Sequence, residues 1–221
     1  SPARPLEPAV LHAFAIETNR MAGGLAALVA GLLSSASPAA AQFICQQYGG
    51  SFGGATAGTM ALACGADAIA SGTASSAFGG QSRALGDYST AVGQAARAEG
   101  ANAAAIGSQA QAIGSNSAAV GTVASASGNN ATAVGNAASA EANNATAIGN
   151  GASASAINAT ATGSNSIASG LNSTSLGSAA QAIGNNATAL GRGARAIASS
   201  TTAIGDIARA QGEYSTAIGN D

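Results

Sequence analysis

The chain of 221 residues has no tryptophan and no lysine, a single histidine, two cysteines and four prolines. Charged residues make up 7% of it and aromatics 3%. Each shortage excludes a class. An ordinary globular domain carries roughly a quarter charged residues and fills its core with large side chains. Here the 47% hydrophobic content is mostly alanine, so no thick core can be built. Disordered chains are rich in charge, Pro, Lys and Glu, which this one is not. Collagen is excluded because the 31 glycines do not recur at every third position. A net charge of −2 gives no general affinity for nucleic acid or anionic lipid. Catalytic chemistry is also wanting. Residues 42–221 have no His, and their carboxylates (Asp67, Asp87, Glu99, Glu141, Asp206, Glu213 and Asp221) form no recurring pair for acid–base work. The serines have no base to activate them, and the glycine-rich run at 49–54 lacks the Lys and following helix of a phosphate loop. No enzyme, cofactor or metal site is expected.

What the chain does have is a repeat, and biased composition makes that the first thing to look for. Glycine falls at Gly65, Gly79, Gly93 and onward at the same fourteen-position interval to Gly219, without one insertion or deletion. Halfway between lie Gly72, Gly86, Gly100, Gly114, Gly128, Gly170, Gly184 and Gly212, with alanine instead at Ala142, Ala156 and Ala198. Each unit reads as two short strands closed by turns, because residues alternate with the strand period of two and no helical pattern appears. Glycine is expected to supply positive φ at both turns, and Asn116, Asn130, Asn144, Asn158, Asn172 and Asn186 are turn formers as well. Two strands per coil, stacked coil on coil, predict an all-β parallel β-solenoid. Eleven coils at about 4.8 Å each would extend roughly 50 Å.

Alternation then assigns faces. Two residues before each principal glycine stands alanine, with Ser175 the one exception, and two before each halfway position alanine is invariant. Both columns are placed inside a thin coil. The residues alternating with them point outward. On the second strand these vary and include Arg83, Arg97, Arg195 and Arg209, candidate ligand-facing residues that pair one repeat apart; solubilisation is the plain alternative. On the first strand the outward file is Phe78, Val92, Ile106, Val120, Val134, Ile148, Thr162, Leu176, Leu190, Ile204 and Ile218. An apolar ladder of that length exceeds what a soluble monomer exposes and needs a partner. Identical chains offer the same stripe, and three around a common axis would bury it most fully. The candidate trimer interface is therefore Val92, Ile106, Val120, Val134, Ile148, Leu176, Leu190, Ile204 and Ile218. The opposite assignment, with Ile and Val in the monomer's core, stays open at this point.

The units Thr146-Ala147-Ile148-Gly149, Thr202-Ala203-Ile204-Gly205 and Ser215-Thr216-Ala217-Ile218-Gly219 resemble the SVAIG-type repeats of YadA-like head domains of trimeric autotransporter adhesins. Motif, period and alternation agree together over about 62–219. The resemblance implies a left-handed parallel β-roll, a homotrimer, and a head held away from a Gram-negative outer membrane. It implies extracellular matrix, host cells or other bacteria as targets. No neck, heptad stalk or C-terminal barrel is visible in this sequence, which reads as a fragment of something longer.

Three segments follow: a leader at 1–41, a cap segment at 42–61 and head repeats at 62–221. The apolar run from Met21 ends Ser37-Pro38-Ala39-Ala40-Ala41, a small-residue cleavage signal; a transmembrane helix is the alternative. Export would allow a Cys45–Cys64 disulfide to staple the first coil, the alternative being two unpaired small hydrophobes. His12 precedes the expected cleavage point. The Asn-Ala-Thr sequons at Asn130, Asn144, Asn158 and Asn186 are read as turns. Against the adhesin stands a monomeric solenoid binding ice or another ordered surface, motivated by the threonine file Thr132, Thr146, Thr160, Thr174, Thr188, Thr202 and Thr216.

Overall fold

The computed structural model describes residues 43–44 and 55–220. The leader at 1–41, Cys45 and most of the cap segment lie outside the described residues. Among the described residues there is no helix. Every strand is parallel, and the strands form two sheets. A broad sheet has 13 strands, running from Phe43–Ile44 and Leu62–Cys64 to Thr216–Ile218. A narrow sheet has 12, running from Thr56–Ala57 and Ile69–Ala70 to Arg209–Ala210. Sequence neighbours alternate between the sheets, so each coil contributes one strand to each. This is the parallel β-solenoid that the periodicity predicts.

Register follows the repeat. Thr132, Ala133 and Val134 pair with Thr146, Ala147 and Ile148, and Ser139 and Ala140 pair with Ser153 and Ala154. At the N-terminal end the spacing changes. Phe43 pairs with Leu62, farther along the chain than one repeat, and Thr56 pairs with Ile69, one position short of a repeat. Part of the cap segment thus adds a strand to each sheet, out of step with the repeat behind it.

Side chains alternate in and out of the coil as the strand period demands. Both alanine columns lie inside, and a second inward position stands two residues earlier on each strand. In one coil Ala131, Ala133, Ala138 and Ala140 are all fully buried. The additional column is more varied than the first, holding Ser75, Ser82, Ser89, Ser117, Ser166, Ser173 and Thr201 among its alanines. With four methyl-sized groups per coil, the sheets approach closely. Cohesion comes from stacked backbone and dispersion rather than from bulky residues. Some hydroxyls in the core make local bonds, Ser75 Oγ donating to Gly72 O at 2.7 Å and Ser175 Oγ to Ala180 O at 2.8 Å, whereas those of Ser89, Ser117 and Ser173 are buried without a partner.

Hydrogen bonds continue through the turns, which is why the stack does not interrupt its ladder. Gly135 N–H donates to Val120 O at 2.8 Å and Ala137 N–H to Thr122 O at 2.9 Å, both on the previous coil. Ser139 N–H donates to Ala152 O at 2.8 Å on the next coil. Within a coil each turn closes on itself, as Ala138 N–H to Gly135 O at 3.3 Å and Ala145 N–H to Ala142 O at 3.1 Å. The third residue of such a turn has positive φ, for instance Ala137 at 54° and Asn144 at 59°.

One expectation about glycine is corrected here. The principal glycines do have positive φ, Gly135 at 135°. The halfway glycines do not. Their column is set by clearance: a Cβ on Gly128 would lie 2.0 Å from Ala142 O of the next coil. Positive φ at the second turn falls instead on the asparagine column.

Candidate functional site

The outward file of the broad sheet is solvent-facing, not part of the monomer's core. Phe78, Val92, Ile106, Val120, Ile148, Leu176 and Leu190 are each between 36% and 45% exposed, and Val134 and Ile204 are half-buried. Strand pairing stacks them in one line: Val92 on Ile106, Val120 on Val134, Val134 on Ile148, Leu176 on Leu190, Leu190 on Ile204 and Ile204 on Ile218. Thr162 interrupts the line between Ile148 and Leu176. Ile218, on the last strand of the sheet, is 74% exposed. The threonine file runs beside this line on the same face, in register from Thr132 to Thr216. The face is therefore two files wide and uncharged.

The narrow sheet presents the opposite face. Arg83 lies directly beside Arg97, and Arg195 beside Arg209, as their spacing of one repeat requires. The two pairs differ in company. Arg97 Nη2 forms an ion pair with Glu99 Oε1, two residues along the same strand face. Arg83 and Arg97 line one hollow with Asp67, Ile69 and Gln81. Arg195 and Arg209 form no ion pair among the described residues. A fifth cation, Arg192, is held from the first turn by Asp206 one coil on, at 2.7 Å.

A third feature went unread in the sequence beyond its role in turns. The second-turn asparagines form a side-chain ladder along one edge of the coil. Asn102 Nδ2 donates to Asn116 Oδ1, and the chain of bonds continues through Asn130, Asn144, Asn158 and Asn172 to Asn186, at 2.9 to 3.3 Å. All seven sit at φ between 55° and 59°. Asparagine tolerates that left-handed region better than other residues with a Cβ, and its amide both donates and accepts. The recurrence of Asn once per repeat was the available signal. The sequon asparagines Asn130, Asn144, Asn158 and Asn186 all belong to this ladder.

Cys64 is disulfide-bonded, and Cys45 lies outside the described residues. No group of three or more metal-ligating side chains occurs among the described residues.

The same repeat occurs in known proteins. The family model described as the YadA head domain repeat matches at 57–82, 70–96, 98–124, 112–138, 126–152, 140–166, 168–194 and 196–221. Among solved structures, the collagen-binding domain of the Yersinia adhesin YadA is similar, at 26% identity and a TM-score of 0.42, over 68% of each chain. No curated protein matches the chain. With head-repeat matches over most of its length, this chain belongs to the YadA head-repeat family.

Proposed function

We propose that the chain is the head of a bacterial surface adhesin, in which three copies pack their broad-sheet faces around a common axis. The observation that carries this is the exposed apolar file: ten of its eleven positions from Phe78 to Ile218 are Phe, Val, Ile or Leu. That is a long apolar stripe, broken only at Thr162, of the kind found at interfaces. Trimerisation removes it from water and leaves the narrow-sheet faces outward. Attachment to extracellular matrix, host cells or other bacteria then comes from many weak contacts, multiplied by three chains and by copies on the cell. The family reading supports export across the inner membrane and anchorage of the full-length protein in the Gram-negative outer membrane. No catalysis is involved. A Cys45–Cys64 disulfide would close the N-terminal end of the solenoid, where the unpaired edge of a sheet is a liability.

The test is attachment by beads carrying the chain to surfaces coated with matrix proteins or with host cells. Wild-type beads are expected to hold under wash and Ile148→Asp beads to release, because an aspartate at that position charges the stripe without entering the core. Equal retention by the variant would count against the trimeric head. The in-register threonines supply the second reading: thermal hysteresis from a stable monomer would favour an ice-binding face.

A further inference from the structure

The narrow-sheet face carries one cationic pair that the fold leaves uncompensated, and its surroundings define a ligand. Around Arg83 and Arg97 the charge is balanced, since Glu99 pairs with Arg97 and Asp67 shares the hollow with Arg83. Around Arg195 and Arg209 it is not. Their file reads Ile167, Gln181, Arg195, Arg209, with Ser169, Ile183, Ile197 and Gln211 as the outward residues beside it, and holds no carboxylate. Asp206 is occupied by Arg192, and Glu213, at the following turn, forms no ion pair among the described residues. Arg195 Nε is buried and has no hydrogen-bond partner, an unmet donor on a charged group. Arg209 is held only by a neutral amide: with its oxygen turned toward the guanidinium, Gln211 accepts at 3.1 and 3.3 Å. Beside the arginines stand Ile183, 39% exposed, and half-buried Ile197.

We propose that this pair is a binding site for an acidic polysaccharide lying along the solenoid axis, with anionic groups on successive sugars meeting Arg195 and Arg209. The proposal rests on the reading above that the broad face is the one between chains, which leaves the narrow face open. Successive arginines are one strand spacing apart, about 4.8 Å, close enough for anionic groups on neighbouring sugars to reach both through their flexible exocyclic substituents. An extended acidic peptide offers carboxylates but no ring face to set on the neighbouring isoleucines. The isoleucines beside the pair offer an aliphatic shelf for the C–H face of a pyranose ring, and the serines and Gln181 farther along the same sheet give hydroxyls and an amide for sugar hydroxyls. Guanidinium groups suit both sulfate and carboxylate through paired donors.

The experiment measures binding of the chain to a heparin-derived oligosaccharide, a polyuronate oligosaccharide with a carboxylate on every sugar, neutral dextran and poly-glutamate of matched length. The variants are Arg195→Gln/Arg209→Gln and Arg83→Gln/Arg97→Gln. Each variant is checked by circular dichroism for fold and by light scattering for mass. The wild type is expected to bind one or both acidic glycans, heparin alone marking sulfate as the preferred anion and both marking the carboxylate as sufficient. Dextran does not bind. The Arg195/Arg209 variant loses roughly tenfold or more in affinity, as expected for two charge-assisted contacts, while the Arg83/Arg97 variant stays within about twofold. Equal losses in the two variants, tighter binding of poly-glutamate than of either glycan, or no glycan binding each overturn the site. Mass separates the two readings: a trimer that binds no glycan overturns only this inference, and a monomer that binds overturns only the interchain face.

Discussion

Replacing Gly135 with alanine is expected to cost more stability than replacing Gly128, although overlap alone ranks them the other way. A Cβ at Gly128 would lie 2.0 Å from Ala142 O, and one at Gly135 would lie 2.4 Å from Gly149 O. Gly128 has no positive φ, however, and its column already holds alanine at Ala142, Ala156 and Ala198. A turn can therefore be built around a methyl in this column, although at Gly128 the backbone of the next turn must move to make room. Removing a glycine also reduces the freedom of the unfolded chain, returning about 0.4–1 kcal/mol. Gly135 has no such latitude. At φ 135° it occupies a region nearly closed to residues with a Cβ, and forcing alanine into it costs about 1–3 kcal/mol. Pushing the next turn away also strains two bonds between coils, Gly149 N–H to Val134 O at 2.8 Å and Gly151 N–H to Asn136 O at 2.9 Å. Each is worth about 1 kcal/mol. Overlap strains bonds between coils at both positions and the unfolded-chain return applies to both, so the conformational cost decides: Gly135→Ala is expected to lose about 1–3 kcal/mol more than Gly128→Ala. Urea unfolding followed by far-UV circular dichroism reads the difference, using the first transition because stacked repeats unfold as coupled neighbours. Equal losses, or a larger loss at Gly128, would refute the claim that backbone conformation rather than overlap sets the cost.

Other changes probe other parts of the fold. Asn144→Ala removes the bonds from Asn130 at 3.2 Å and to Asn158 at 3.0 Å and leaves a Cβ at positive φ; about 2 kcal/mol should be lost in the same unfolding assay, with Asn144→Gly recovering roughly half. Ala147→Leu forces a large side chain between the sheets and is expected to cost about 1–3 kcal/mol or more; a neutral outcome would mean that the sheets are not in contact there. Thiol titration of the unreduced chain should find no reactive cysteine, and Cys64→Ser should lower stability by about 2–4 kcal/mol, with the change in hydrogen-exchange protection confined to the first coils.

Much of this architecture was legible because a strict repeat turns alternation into geometry. Ala140 was readable as inward from invariance, whereas on the first strand Ala133 inward with Ile148 outward was one of two assignments that the alternation allowed. The companion inward column was harder to see, because Ser82, Ser117 and Thr201 interrupt its alanines and serine is as common on surfaces as in this core. Halfway glycines misled for a different reason. Glycine answers both to positive φ and to close approach, and Gly128 needs the second while Gly135 needs both. The asparagine ladder depends on contacts between residues one repeat apart, so it exists only once the coils are stacked. Similarly, Glu99 stands two positions after Arg97 in the sequence, but only their placement side by side shows which arginine pair is neutralised. At the N-terminal end, the steps from Phe43 to Leu62 and from Thr56 to Ile69 match neither each other nor the repeat, so those pairings could not have been read.

The central claim is that the apolar file from Phe78 to Ile218 is a face between chains. Light scattering on the purified chain, across a dilution series under oxidising conditions, tests it most directly. The account predicts a mass three times that of the 20.5 kDa chain, falling to one chain in Ile148→Asp while the circular dichroism of the sheets is kept. A single-chain mass for the wild type at every concentration would contradict it.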